Sequence, residues 1–339
     1  PVLWLALDSR TLWRSEDAGE SWSFITDLSD YWASLNASVT DPDVFAWGGV
    51  EVHRTDDAGE NFEVVNYWWD YYDDPANLLH ADIMGIDVIV DEGGDEIWYI
   101  DTDGGLYRSL DRLETVENLS LRGLRVSQYY STHTSATNPA AVLGGTQDQG
   151  YQITAGIQQD GDGVWEFDQI ISGDYGHLTS SDGTHDYVFS VYPGFILVQM
   201  GEINPSLAYL DFPADDSYVP WLPPIVADPD DKNAFFFPAT RLYRYDYNAG
   251  LGTWQYALHS EHNFEVSSGE YISSIRFSPL DSRRVYAATS TGRFWTSDDH
   301  GITWTQSQNM VADDNWYYGQ TIAPSRTDID TVTIGGSGF

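Results

Sequence analysis

Ser15-Glu16-Asp17-Ala18-Gly19-Glu20-Ser21-Trp22 is the stretch on which the chain's organisation turns. It returns as Thr55-Asp56-Asp57-Ala58-Gly59-Glu60-Asn61-Phe62 and as Ser297-Asp298-Asp299-His300-Gly301-Ile302-Thr303-Trp304. A reduced copy runs from Ser109 through Asp111 to Val116. The shared pattern is Ser/Thr-x-Asp-x-Gly-x-x-aromatic. Its physics is that of a hairpin turn. The Asp side chain accepts hydrogen bonds from nearby backbone N–H groups. The Gly supplies a backbone conformation that other residues resist. The aromatic residue is expected to anchor the next strand in the core. A short strand precedes each full copy: Thr11-Leu12-Trp13-Arg14, Val50-Glu51-Val52-His53-Arg54 and Arg293-Phe294-Trp295-Thr296.

The spacing of these turns counts the repeating unit. Asp17 to Asp57 is 40 residues, Asp57 to Asp111 is 54, and Asp111 to Asp299 is 188, four times 47. Three further hairpins therefore belong between Asp111 and Asp299. Candidates are Gln159-Asp160-Gly161-Asp162-Gly163, Gly201-Glu202-Ile203-Asn204-Pro205 and Asn248-Ala249-Gly250-Leu251-Gly252. Seven hairpins at this spacing match seven four-stranded blades of an all-β propeller. Proline turns agree with this count. Asp41-Pro42, Asn138-Pro139, Asp228-Pro229, Ser278-Pro279 and Ala323-Pro324 each stand where a first blade strand must end, because proline cannot donate to a ladder. The chain opens on what reads as a second blade strand, Val2 to Leu7. Tyr317 to Ile322 reads as a first strand that could close the ring onto the opening blade. Thr331 to Ile334 then reads as a surplus second strand. These ends suggest a partial eighth blade or one propeller, residues 1–339, within a longer chain.

Composition supports the class. The 339 residues include 14 Trp and 22 Tyr, types that fit pleated, half-buried surfaces. The 53 acidic residues against 15 basic give −38, which makes nucleic acid and anionic membrane poor partners. The bland reading of that charge is a solvated coat. The absence of cysteine excludes disulfides and thiolate metal sites. No run reaches the roughly 18 apolar residues of a membrane span. Asn36-Ala37-Ser38 and Asn118-Leu119-Ser120 are glycosylation triplets of a kind common by chance. His133, His185, His259 and His262 show no metal-ligand spacing.

The octapeptides resemble the Asp-box, or bacterial neuraminidase repeat, of sialidases, two-propeller xyloglucanases and sortilin-type receptors. Asp17, Gly19, Trp22, Asp57, Gly59, Phe62, Asp111, Asp299, Gly301 and Trp304 carry that resemblance, which implies a structural role for them. A wider likeness covers His80-Ala81-Asp82, Asp101-Thr102-Asp103-Gly104-Gly105, Gly144-Gly145-Thr146-Gln147-Asp148-Gln149-Gly150 and Gly173-Asp174-Tyr175-Gly176. It is similar to large secreted bacterial repeat propellers of the glycosyl-hydrolase or sortilin-like kind, and implies a secreted or cell-surface protein. The Arg-Ile-Pro motif that usually opens a sialidase is missing, which argues against that activity.

Blade topology gathers the remaining motifs. A first strand starts on the face where the loop between second and third strands emerges. His80, Asp82, Asp101, Asp103, Gln147, Asp148, Gln149, Asp174 and His177 are therefore expected on one face, near the axis. Their oxygens suit a hard cation such as Ca²⁺, held by Asp82, Asp101 and Asp148. Two of Asp82, Asp101, Asp103, Asp148 and Asp174 would equally serve as the acid and base of a polysaccharide hydrolase. Asp-Gly and Gln-Asp-x-Gly are also ordinary turn formers, so backbone capping competes with both. Trp68-Trp69-Asp70-Tyr71-Tyr72-Asp73-Asp74 is an aromatic–acidic insert ahead of His80, whose rings would stack on sugars or pack beneath a loop. The leading expectation is a non-catalytic binding module for a protein or glycan. A glycoside hydrolase and a structural repeat of a surface filament or adhesin are the alternatives.

Overall fold

The computed structural model describes every residue except 9, 33, 123–126, 155–166, 203, 204, 215, 217, 311–316 and 339. Side chains of 122, 317 and 338 are likewise outside the description. The chain is all-β and of the β-propeller class. Its only helical elements among the described residues are two 3₁₀ turns, Trp68–Tyr72 and Ser120–Arg122. It divides into two compact units, residues 1–128 and 129–339.

The first unit holds three antiparallel sheets, each in sequence order. Sheet one is three-stranded: Leu3–Leu7, Thr11–Ser15 and Ser23–Asp27. Sheet two is Ser34–Ala37, Phe45–Gly48, Val52–Thr55 and Glu63–Val64. Sheet three is Ile83–Val90, Glu96–Thr102, Gly105–Ser109 and Glu117–Asn118. The second unit holds five sheets. Sheet four is Tyr129–Thr134, Val142–Thr146, Tyr151–Thr154 and Asp168–Ile171. Sheet five is Gly176–Thr179, Tyr187–Tyr192, Phe195–Met200 and Ser206–Asp211. Sheet six is Val226–Ala227, Ala234–Pro238, Leu242–Asn248 and Thr253–Ser260. Sheet seven is Ile272–Phe277, Val285–Thr289, Phe294–Ser297 and Thr305–Gln306. Sheet eight pairs Tyr317–Pro324 with Val332–Gly338.

The Asp17 turn joins the last two strands of sheet one, and the Asp57, Asp111 and Asp299 turns join the third and fourth strands of sheets two, three and seven, with sheets four, five and six filling the interval between Asp111 and Asp299. The Asn248 hairpin lies where expected, joining the third and fourth strands of sheet six. The Gln159 candidate lies outside the described residues, as do Ile203 and Asn204 of the Gly201 candidate. Every proline turn joins a first strand to a second. Sheet one has three strands, in keeping with a chain that opens on a second blade strand, and Tyr317–Pro324 pairs with Val332–Gly338 as the partial eighth sheet.

The core sits between neighbouring sheets. One cluster joins Ala46 and Val52 of sheet two to Trp98, Ile100 and Tyr107 of sheet three. Another joins Phe189 and Val198 of sheet five to Phe235 and Tyr245 of sheet six. A middle strand is covered on both faces and reads as an unbroken apolar run, as in Ala234-Phe235-Phe236-Phe237-Pro238, buried throughout. Outermost strands such as Ser206–Asp211 are half-exposed. Two-sided burial favours continuous apolar strands, and one-sided burial favours alternation.

The octapeptide turns owe their shape to a local hydrogen-bond network. Ser15 Oγ donates to Asp17 Oδ1 (2.8 Å) and accepts from Gly19 N (2.8 Å). Asp17 accepts from Ser21 N (2.8 Å) and Ser21 Oγ (2.6 Å). These bonds hold the Asp17 pKa down to about 2, the Ser21 hydroxyl and N–H first among them. Thr55–Asp57 and Ser297–Asp299 repeat the arrangement. Two successive residues take positive φ: Ala18 and Gly19, Ala58 and Gly59, His300 and Gly301. The reduced copy is structurally complete. Ser109 and Asp111 make the same bonds, and Arg112 and Leu113 take φ of 59° and 70°. Left-handed Leu costs about 1–2 kcal/mol. Burial of Leu113 in the cluster of sheets two and three offsets it. Trp22 departs from expectation. It is 36% exposed and folds back over its turn, donating Nε1–H to the Gly19 carbonyl (3.2 Å). Trp304 makes the same bond yet packs against the core of sheets six and seven.

Ser297 tests the network. Its hydroxyl is buried and serves Asp299 and Gly301 N. Ser297→Ala is expected to cost about 1–2 kcal/mol by stranding those partners, read as a lower urea midpoint with unchanged slope. A midpoint equal to that of the unaltered chain would refute this role.

Candidate functional site

His80, Asp82, Asp101 and Asp103 fall in the first unit. Gln147, Asp148, Gln149, Asp174 and His177 fall in the second. Each set stands where a first strand begins or where second and third strands connect.

In the first unit the start of sheet three is clamped to the connecting loop of sheet two. Asp82 N donates to Val50 O (3.0 Å) and Ile83 N to Gly49 O (2.8 Å). Asp82 adopts φ +66° there. Asp30 Oδ2 accepts Val50 N (2.6 Å). Glu51, in the same loop, lies in the electrostatic field of Asp30 and Asp82. Burial first, then these two carboxylates, push its pKa up against a bond from the Trp68 N–H. His80 is buried. Its backbone N donates to Tyr107 Oη (3.2 Å), its Nδ1 meets Ala81 O (3.0 Å), and its ring packs edge-on to Tyr71 (4.8 Å). Gly104 leaves room for that ring, since a Cβ there would stand 2.4 Å from His80. Asp101 is exposed near the end of Glu96–Thr102, its carboxylate over Gly85. Asp103 sits in the tight turn that follows.

The Trp68–Tyr72 turn precedes His80 and carries four exposed aromatic rings: Tyr67, Trp68, Trp69 and Tyr72. Tyr67 and Trp69 stack at 4.7 Å and 3°. Trp68 meets Trp69 and Tyr72 edge-on at 5.7 Å and 6.3 Å. Tyr71 is buried and anchors the turn on His80. Asp70 caps the turn by accepting Tyr67 N (3.0 Å). The rings are thus held in place rather than free to reorient.

In the second unit Asp148 and Asp174 are brought together. Asp174 Oδ1 accepts Asp148 N (3.3 Å), and Asp148 O accepts Gly173 N (3.0 Å). Gln152 and Gln169 side chains both donate to Gln149 O at 3.0 Å. Gln147 O accepts Gln149 N (2.5 Å). Asp148 takes φ +57°. Asp174 thus caps a backbone N–H of the connecting loop. His177 lines a cavity of about 410 Å³. Burial first, then Arg276, lowers its pKa to about 4 against a bond that the ring donates to the Leu222 carbonyl, so the ring is neutral at pH 7.

Among the described residues, the grouping with ligand atoms within 4.8 Å is Asp228, Asp230 and His300. Arg244 Nε already donates to Asp228 Oδ2 (2.9 Å), which opposes a cation there. Glu51 and Arg276 were not singled out from sequence. Glu51 was within reach: it stands in the connection between the second and third strands of sheet two, as Gln147, Asp148 and Gln149 do in sheet four. Arg276 carries no such signal.

No protein-family model matches the sequence, and no curated protein matches it. No helix among the described residues is long and apolar enough to cross a membrane. Among solved structures the chain is similar to YCF48 from Cyanidioschyzon merolae, at 14% identity over 99% of this chain and 96% of that one, TM-score 0.43. It is also similar to the extracellular domain of BT4673 from B. thetaiotaomicron, at 15% identity over 98% of this chain and 45% of that one, TM-score 0.43.

Proposed function

We propose that the chain is a non-catalytic binding module whose first unit grips a basic segment of a protein partner on the Trp68–Tyr72 platform. The observation that carries this is the exposure of Tyr67, Trp68, Trp69 and Tyr72, each 43–52% accessible, on one short, anchored turn. Contiguous exposed apolar surface marks interaction sites. Asp70, Asp73 and Asp74 share the turn, and Glu51 accepts a bond from Trp68 N–H. Aromatic faces beside carboxylates attract Lys and Arg through cation–π and Coulomb terms together. The net charge of −38 steers such a partner in. Because the stacked rings are already ordered, little side-chain entropy is lost on binding. Export or display at a cell surface belongs to the same reading and rests on the repeat resemblance.

The test titrates the chain with an Arg/Lys-rich peptide, a neutral peptide of equal length and soluble polysaccharides, following tryptophan fluorescence. Saturable binding of the basic peptide, weakened at least about tenfold by Trp68→Ala with Trp69→Ala and falling with salt, is expected. Preference for a polysaccharide would transfer the platform to glycan recognition. Turnover of that polysaccharide, lost in Glu51→Gln, would replace the module reading with the hydrolase one.

A further inference from the structure

We propose that the cavity of the second unit binds a small organic acid, with the ligand's carboxylate on Arg276. The inference is independent of the aromatic platform, which belongs to the first unit. First strands of four sheets wall the cavity: Tyr130 and Ser131 from sheet four, His177 and Thr179 from sheet five, Val226 from sheet six and Arg276 from sheet seven.

Arg276 differs from the partly buried arginines of this chain that pair with carboxylates. Acidic residues outnumber basic ones 53 to 15, so a guanidinium has carboxylates in abundance. Arg54 reaches Asp56 (3.3 Å), Arg244 reaches Asp228 (2.9 Å), and Arg293 reaches Glu270. Arg276 is also withdrawn from solvent, enough that burial lowers its pKa. Yet no carboxylate among the described residues lies within 4.0 Å of it. The hydrogen bond it makes is from Nη1 to the Ile275 carbonyl (2.9 Å). A half-buried charge without a counter-ion is costly, and a ligand carboxylate supplies the missing partner in the bidentate geometry that a guanidinium fork matches.

The surroundings suit such a ligand. Ser131 Oγ accepts Leu178 N (3.0 Å) and Thr179 Oγ1 accepts Ala227 N (3.1 Å). Each is thereby oriented, with its hydroxyl proton left to donate. His177 presents a neutral ring on a backbone at φ +54°, a conformation costing about 1–3 kcal/mol that concentrates at functional sites. Leu178 and Val226 add apolar wall. About 410 Å³ exceeds what a bare inorganic anion fills and falls in the range of small-molecule sites.

Calorimetric titration of the full chain tests this with glucuronate and benzoate, their neutral counterparts glucose and benzyl alcohol, and inorganic phosphate. One acid is expected to saturate a single site per chain, at least about tenfold tighter than its neutral counterpart. Arg276→Gln should weaken that acid by at least about tenfold and leave basic-peptide binding unchanged. The proposal is overturned if neither acid saturates, if the neutral counterparts bind as well, if phosphate alone binds, or if R276Q binds undiminished. The acid-against-neutral comparison uses the unaltered chain, so misfolding of the variant does not blunt it.

Discussion

Glu270→Ala is expected to destabilise the second unit by about 3–5 kcal/mol, the cost of stranding a buried charge. Glu270 is wholly buried at the start of sheet seven. Its Oε2 takes the Arg293 guanidinium and Ser267 N (2.9 Å), and its Oε1 takes the Thr289 and Thr291 hydroxyls, the latter at 2.6 Å. Arg293 is itself only 13% exposed, so removing the carboxylate leaves a cation without its partner. Burial alone would raise the Glu270 pKa. The bonds from Thr289, Thr291, Arg293 and Ser267 overcome that and hold it below 4.5. The sign follows: a depressed folded pKa contributes stability that is complete above about 4.5 and is lost as pH falls through the folded value. Urea unfolding of the variant and the unaltered chain should therefore differ most at pH 7 and converge in acid. A difference under about 1 kcal/mol at pH 7, or one that persists unchanged in acid, would refute the network's role.

Phe235→Ala is expected to cost about 3–5 kcal/mol for the emptied volume alone. Phe235 is wholly buried between sheets five and six. It lies 4.5 Å from the Phe189 ring and stacks on Tyr245 at 4.7 Å and 11°. Its neighbours are fixed on separate strands and cannot collapse into the gap, so the larger end of the range applies. Leu251→Ala, at the exposed tip of the Asn248 hairpin, should stay within about 0.5 kcal/mol. Thermal and urea midpoints of the two variants measure the contrast. A Phe235→Ala loss below about 1.5 kcal/mol would mean that the packing between these sheets is not what holds them.

The sequence by itself determined the features whose interactions close over a few residues. Ser15, Asp17, Gly19 and Ser21 satisfy one another within a single turn, so the octapeptide is readable wherever it stands, and even the copy lacking glycine keeps its form. Regular spacing of those turns and of the proline turns then fixed the class and the sheet count, because each sheet is built from consecutive strands. The position of His80, Asp82, Asp101, Asp103, Gln147, Asp148, Gln149, Asp174 and His177 at strand starts and connecting loops follows from the same order.

What those residues touch was decided only by tertiary structure. Glu270 meets Arg293 across 23 residues and Asp174 meets Asp148 across 26, distances over which loop path and sheet twist, not local pattern, set the pairing. Trp22 is exposed while Trp304, in the same motif position and with the same bond to its turn, packs against the core of sheets six and seven. Arg276 sits in an unremarkable strand, Ile272-Ser273-Ser274-Ile275-Arg276-Phe277. Its lack of a carboxylate among the described residues, and its place in a cavity walled by four sheets, depend on side chains that the chain brings together from nearly 150 residues of sequence. Electrostatic partnership is a property of distance in space, which no contiguous motif encodes.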